Sequence, residues 1–272
     1  MEPNQKINDL RPPQDDVLQP VTLVLAGKSI HAETVPSTPL YQMNQNVTIF
    51  SIPRNGSSSS VIFERVEHDT SDDKLEVEST NTSTPSPEQR NHHLCYLVHP
   101  TTARYRPDLD NPAYYITSMS SEMLGNIHFE PTKSSFPGSK TSFKALLSAQ
   151  KSATDKPLFD QAPQSLFTVK PKWKGGRYMW TDTNGTQVAF EDGSAKARKL
   201  VITLPMQRHM RDSLVALWVL RIWHDVAESR QAKREVLESM TAPTALSAYP
   251  DGKSWKRVRA LGAVAVGGGG GA

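Results

Sequence analysis

The absences in this sequence are informative. It has one cysteine in 272 residues, Cys95, which excludes an internal disulfide framework and any cysteine-rich zinc site. Cys95 sits in the alternating apolar stretch LCYLVHP and reads as a buried structural thiol rather than a nucleophile. No apolar run approaches the roughly 20 residues needed to span a bilayer. The opening MEPNQKINDLRPPQDD is polar, without the apolar centre of a secretory signal. The expectation is therefore a soluble cytoplasmic protein, with peripheral-membrane or nuclear residence open. Its four Asn-X-Ser/Thr triplets, at Asn46, Asn55, Asn81 and Asn184, then carry no glycan. The net charge of +3 is too small to imply nucleic acid, and no such partner is expected.

Catalytic chemistry is sparse too. Gly27-Lys28-Ser29 would need a glycine five positions upstream to close a phosphate loop, and Thr22 stands there. Serines and aspartates are plentiful but fall mostly in loops, without a nucleophile elbow. His92 and His93 are adjacent, so an extended chain points them apart. His209 and His224 lie fifteen residues apart. No metal, no cofactor and no enzymatic activity are expected.

The strongest positive feature is MQRHMRDSLVALWVLRIWHDVA, from Met206 to Ala227, apolar at every position from Leu214 to Leu220. Seven successive residues at about 100° each leave a helix no wet face there. Such a helix must be enclosed, and the strand-like material before it supplies the enclosure. Pro205 suits its first turn. Helix-forming residues continue through ESRQAKREVLESM, so the helix is expected over 206–240. Its first half is then buried, and 228–240 projects as a possible protein-docking element.

Strands are expected in VTLVLAGKSIHA around a Gly27-Lys28 hairpin, then in PLYQM (39–43), VTIFSI (47–52), SVIFERV (60–66), LCYLVH (94–99), AYYITSM (113–119) and LGNIHFE (124–130). FKALLS (143–148) is ambiguous between strand and helical turn. LFTVKP (166–171) precedes a hairpin at Asn184-Gly185, where a type I′ turn is expected, and RKLVITL (198–204) follows. The fold class is mainly β: an antiparallel barrel of about eleven to twelve strands enclosing a hydrophobic C-terminal helix. The domain covers 18–242, with a disordered arm at 1–17 and a disordered tail at 243–272. The acidic, Ser/Thr-rich stretch 67–93 cannot bury enough apolar surface to offset its ordering entropy, and reads as a disordered insertion. It holds Thr84-Pro85 and Ser86-Pro87, candidate sites for proline-directed kinases.

The segments YMWTDTNGTQVAFED, RKLVITLP and RDSLVALWVLRIWHD, with the strand count before them, resemble the tubby C-terminal-like architecture. Plant LURP-one-related proteins and phospholipid scramblases fall in the same structural group. The closing phrase is also similar to that of uncharacterised fungal proteins. The resemblance implies a non-enzymatic barrel whose outer surface binds phosphoinositide head groups or a protein partner.

The residues themselves point to an anionic ligand. KPKWKGGR sets Lys170, Lys172, Lys174 and Arg177 around Trp173, and Lys196, Arg198 and Lys199 lie one hairpin away. Alternate lysines on a strand share one side, and a tryptophan among them suits a head-group boundary. From Leu166 to Asp212 there are nine Lys/Arg against four Asp/Glu. The bland reading is a solvated loop with an incidental tryptophan.

Overall fold

The computed structural model describes residues 16–49, 59–68, 89–99, 112–132, 140–172, 178–192, 197–229 and 232–234. In chain order the strands are β1 (Val17–Leu18), β2 (Val21–Ala26), β3 (Ser29–Ala32), β4 (Val35–Met43), β5 (Ser59–His68), β6 (Gln89–His99) and β7 (Tyr115–Ser118). β8 (Gly125–Thr132), β9 (Ser142–Ala149), β10 (Gln164–Pro171), β11 (Tyr178–Thr181), β12 (Gln187–Asp192), β13 (Arg198–Ile202) and β14 (Met206–Gln207) follow. One helix, α1 (Arg208–Ala227), completes the set.

Strands β2 to β13 form a closed barrel of twelve, each antiparallel to its neighbour in sequence, and β13 pairs back onto β2. Alternation along each strand sends one set of side chains inward. Leu23, Ile30, Phe63, Leu97, Phe129, Val169, Trp180 and Leu200 are all essentially inaccessible to solvent. They form one apolar cluster with Leu214 to Leu220 of α1, every one of which is fully buried. Side chains of α1 meet Tyr41 of β4, Arg65 of β5, Phe143 of β9, Tyr178 of β11 and Glu191 of β12. These strands lie all round the ring, so the helix runs through the barrel. The apolar rod of the sequence is the internal support.

Several boundaries move for physical reasons. β5 and β6 together take residues 67–68 and 89–93 out of the expected insertion, since ten pairs, with one register shift between Phe63 and Glu64, extend the hairpin to His68 and Gln89. Residues 69–88, Thr84 and Ser86 among them, lie outside the described residues, as do 1–15 and 243–272. Val17 belongs to β1 rather than to an arm, because Val17–Leu18 pair with Met206–Gln207. That pairing also delays α1 to Arg208 and leaves Pro205 before β14 instead of in the first helical turn. Of the expected strand 47–52, Val47 to Ile49 form a turn, and 50–52 lie outside the described residues. FKALLS is strand, within β9.

At its other end α1 stops at Ala227, not 240. The amides of Glu228 and Ser229 close the last turn on His224 and Val226. Ser229 then caps a new helical turn, its hydroxyl accepting from the Ala232 amide at 3.1 Å. Residues 235–240 lie outside the described ones.

Two hairpins show how turn chemistry sets register. Gly27 has φ +61° at the first central position of a two-residue turn, the φ pattern of a type II′ turn. Asn184-Gly185 is not the expected type I′ turn: Gly185 alone has positive φ, +79°. The Asp182 carboxylate accepts from the Asn184 and Thr186 amides at 2.9 and 2.8 Å. This builds a longer loop with glycine in the left-handed position, and the register shifts between Trp180 and Thr181.

Candidate functional site: the barrel ends

Because the strands alternate in direction, each connection opens at one of two ends. The helix enters at the end holding 33–34, 119–124, 150–163 and 182–186. It leaves at the end holding the described residues 27–28, 44–49, 112–114, 140–141, 172 and 197. A buried ionic network anchors the helix at each end.

At the entry, Asp212 is fully buried. It accepts from the Tyr41 hydroxyl at 2.7 Å and from Arg65 Nη1 at 2.8 Å. Arg65 also binds Glu67 at 2.9 Å and Glu122. Burial pushes the Asp212 carboxyl above the usual range, although Tyr41 and Arg65 pull it back. Burial, reinforced by Asp212, also raises the Tyr41 phenol. At the exit, Arg221 binds Asp225 at 2.6 Å and the buried Glu191, and its guanidinium lies 4.3 Å from the Tyr178 ring centre. The Trp180 indole donates to Glu191 at 3.2 Å. Burial raises Glu191 against the pull of Arg221, and burial with Asp225 pushes Tyr178 up to about 12. His224, expected as a polar terminus of the buried part, is buried against Phe143 and Tyr114.

The candidate cations fall into three groups. Lys170 is exposed on the outer wall of β10, opposite in sense to the inward Val169, and Lys172 is exposed just beyond that strand. Arg198 shares the inner face of β13 with Leu200 and Ile202, so it points to the exit mouth rather than the outer wall. There burial and nearby Arg221 lower its pKa. Lys199 faces outward, but Glu33 holds it at 2.5 Å, so its charge is compensated. Trp173, Lys174, Arg177 and Lys196 lie outside the described residues. The chain brings Lys170, Lys172 and Arg198 to the exit end, while Lys199 is engaged by Glu33.

The interior networks were the missed feature. Asp212 and Arg221 sit on a helix without a wet face, so both need partners inside the barrel. Arg65 and Glu191 occupy inward positions of strands, where a lone charge is costly. That parity is the signal that could have found the pairs. Among the described residues no group of three His, Cys, Asp or Glu side chains could hold a metal ion, and no helix is long and apolar enough to cross a membrane. No protein family, no curated protein and no solved structure matches this chain.

Proposed function

We propose that this protein is a non-enzymatic binding module of the tubby-like kind that recognises anionic phospholipid, phosphoinositide foremost, through basic side chains at the exit end. One observation carries the reading. Lys170, Lys172 and Arg198 are exposed, while the carboxylates around them are engaged, Asp225 and Glu191 by Arg221 and Glu228 by Lys233. The surplus there is therefore positive. The barrel interior is filled by the helix and its partners, which suits a scaffold whose ligands bind outside. The resemblance of the closing hairpin, strand and helix to tubby-like proteins points the same way.

Sedimentation with phosphoinositide-containing vesicles tests this. The wild type pellets with them, and Lys170→Glu/Lys172→Glu binds markedly less, since each basic residue near an anionic surface contributes about 1 kcal/mol. Wild type that stays in the supernatant, or a double variant that pellets equally, refutes it.

A second reading rests on the fresh helical start capped by Ser229. The segment through 240 would then recruit a protein partner. Truncation after Arg234 should remove that partner from a pull-down and leave the barrel's thermal transition in place. Retention of the partner counts against it.

A further inference from the structure

Three Ser/Thr-Pro pairs stand in the sequence, at Thr38, Thr84 and Ser86. Thr38-Pro39 alone lies among the described residues, and it alone has a proline two positions before the acceptor: the segment reads Val35-Pro36-Ser37-Thr38-Pro39. A threonine with one proline directly after it and another two positions before it is a substrate pattern of proline-directed kinases. So short a pattern carries weight only in the right structural context, which here is an extended and accessible backbone.

The barrel supplies that context. β3 pairs Ala32 with Val35 and the adjacent His31 with Pro39, so the register shifts and Pro36, Ser37 and Thr38 bulge out opposite no β3 residue. On its other side β4 meets β5 only at Tyr41, Gln42 and Met43. Among the described residues the three bulged ones therefore have no ladder partner on either neighbouring strand. Val35 is 49% exposed, Pro36 and Ser37 are exposed, and Thr38 is half-buried. No hydrogen bond engages the Thr38 hydroxyl among the described residues.

Local chemistry keeps the segment extended and loosely held. Pro36 and Pro39 have no N–H to give to a ladder. Each ring also turns the residue before it, Val35 and Thr38, away from helical geometry and towards extended backbone. A kinase cleft takes its peptide extended, so Thr38 already has the backbone conformation that the transfer needs. Releasing 35–39 from the wall opens two pairs, Ala32 with Val35 and His31 with Pro39. The first buried residue of the strand, Tyr41, keeps its pairing with β5 and its hydrogen bond to Asp212.

We infer that Thr38 is a phosphorylation site for a proline-directed kinase, with a nucleoside triphosphate as phosphoryl donor. The Thr38 Oγ1 attacks the γ-phosphorus and the bond from that phosphorus to the β–γ bridging oxygen breaks. The hydroxyl proton passes to the kinase's catalytic carboxylate, and the nucleoside diphosphate leaves. The added group carries about −1.5 to −2 charges at pH 7. Thr38 stands near the barrel end where α1 enters, away from Lys170 and Lys172, so the site is independent of the lipid reading.

The test uses the full chain, a mitogen-activated protein kinase and ATP. Phosphopeptides are mapped by mass spectrometry, and circular dichroism checks that each variant is folded. Wild type should take phosphate on Thr38. Thr84→Ala/Ser86→Ala should keep that phosphate, Thr38→Ala should lose it, and Pro39→Ala should lose it although its threonine remains. Should Pro39→Ala fail to fold, the same replacement in a synthetic peptide spanning 33–42 decides whether the proline directs the transfer. A wild-type peptide that is phosphorylated while Thr38 of the intact chain is not shows the bulge closed to a kinase and overturns the site. A peptide that the kinase refuses overturns it too. Phosphate confined to Thr84 and Ser86, or undiminished labelling of Thr38 in Pro39→Ala, has the same force.

Discussion

Replacing Asp212 by alanine is the sharpest probe of how the helix is held. The carboxylate is fully buried, with the Tyr41 hydroxyl at 2.7 Å and Arg65 Nη1 at 2.8 Å. Removing one member of a buried pair costs about 3–5 kcal/mol, because the other charge is left uncompensated. Arg65 retains Glu67 and Glu122, whose side chains are 42% and 46% exposed, so its share falls at the low end of that range. The Tyr41 hydroxyl loses its acceptor, which adds about 1–3 kcal/mol. Asp212→Ala should therefore destabilise the protein by about 4–6 kcal/mol in urea titrations followed by tryptophan fluorescence. The double variant Arg65→Met/Asp212→Leu should be clearly more stable than Asp212→Ala. It removes both charges from the interior. The Tyr41 hydroxyl loses its acceptor as in the single variant, but no buried charge is left uncompensated, Glu67 keeping His92 and Glu122 being part-exposed. Apolar replacements of buried pairs are often neutral or better. A cost below about 1 kcal/mol for Asp212→Ala, or a double variant no better than the single, would refute the claim that this carboxylate anchors the rod.

Three further outcomes are expected. Since burial raises the Asp212 pKa in the folded state, its ionisation opposes folding, and lowering the pH through the folded pKa relieves that cost. The stability of wild type relative to Asp212→Asn should accordingly rise as pH falls from neutrality towards the ordinary carboxylate range; denaturant titrations showing a fall contradict this. Leu217→Asp places an unpaired charge where wild-type exposure is 0%, a cost of several kcal/mol, and should yield no cooperative thermal transition. Gly125 has φ +138°, and a Cβ there would lie 2.3 Å from the Ser148 carbonyl oxygen. Gly125→Ala should thus cost on the order of 3 kcal/mol and lower the melting temperature, while Gly27→Ala, with nothing within 4 Å, should cost less.

Legibility varied by element. The run Leu214–Leu220 admits only an enclosed helix, and alternation in SVIFERV and LFTVKP shows their inward positions. VTIFSI misled because Val47 to Ile49 have strand-forming composition yet lie in a turn, held partly by the Asn46 carboxamide accepting from the Thr48 amide at 2.9 Å. The insertion boundary was misplaced because Arg65, Glu67 and His92 look soluble in sequence; in the hairpin they are linked through Glu67. Of the candidate cations, Lys170 and Lys172 were correctly read as exposed, but nothing near Lys199 reveals that Glu33, 166 residues away, neutralises it.

The sequence by itself determined that a helix without a wet face must lie within a curved, antiparallel sheet, because period and composition are local and burial follows from them. Only the tertiary structure decided that the sheet closes with twelve strands. It alone paired Asp212 with Arg65 and Arg221 with Glu191. Those outcomes depend on register and strand direction, which bring together side chains far apart in the chain.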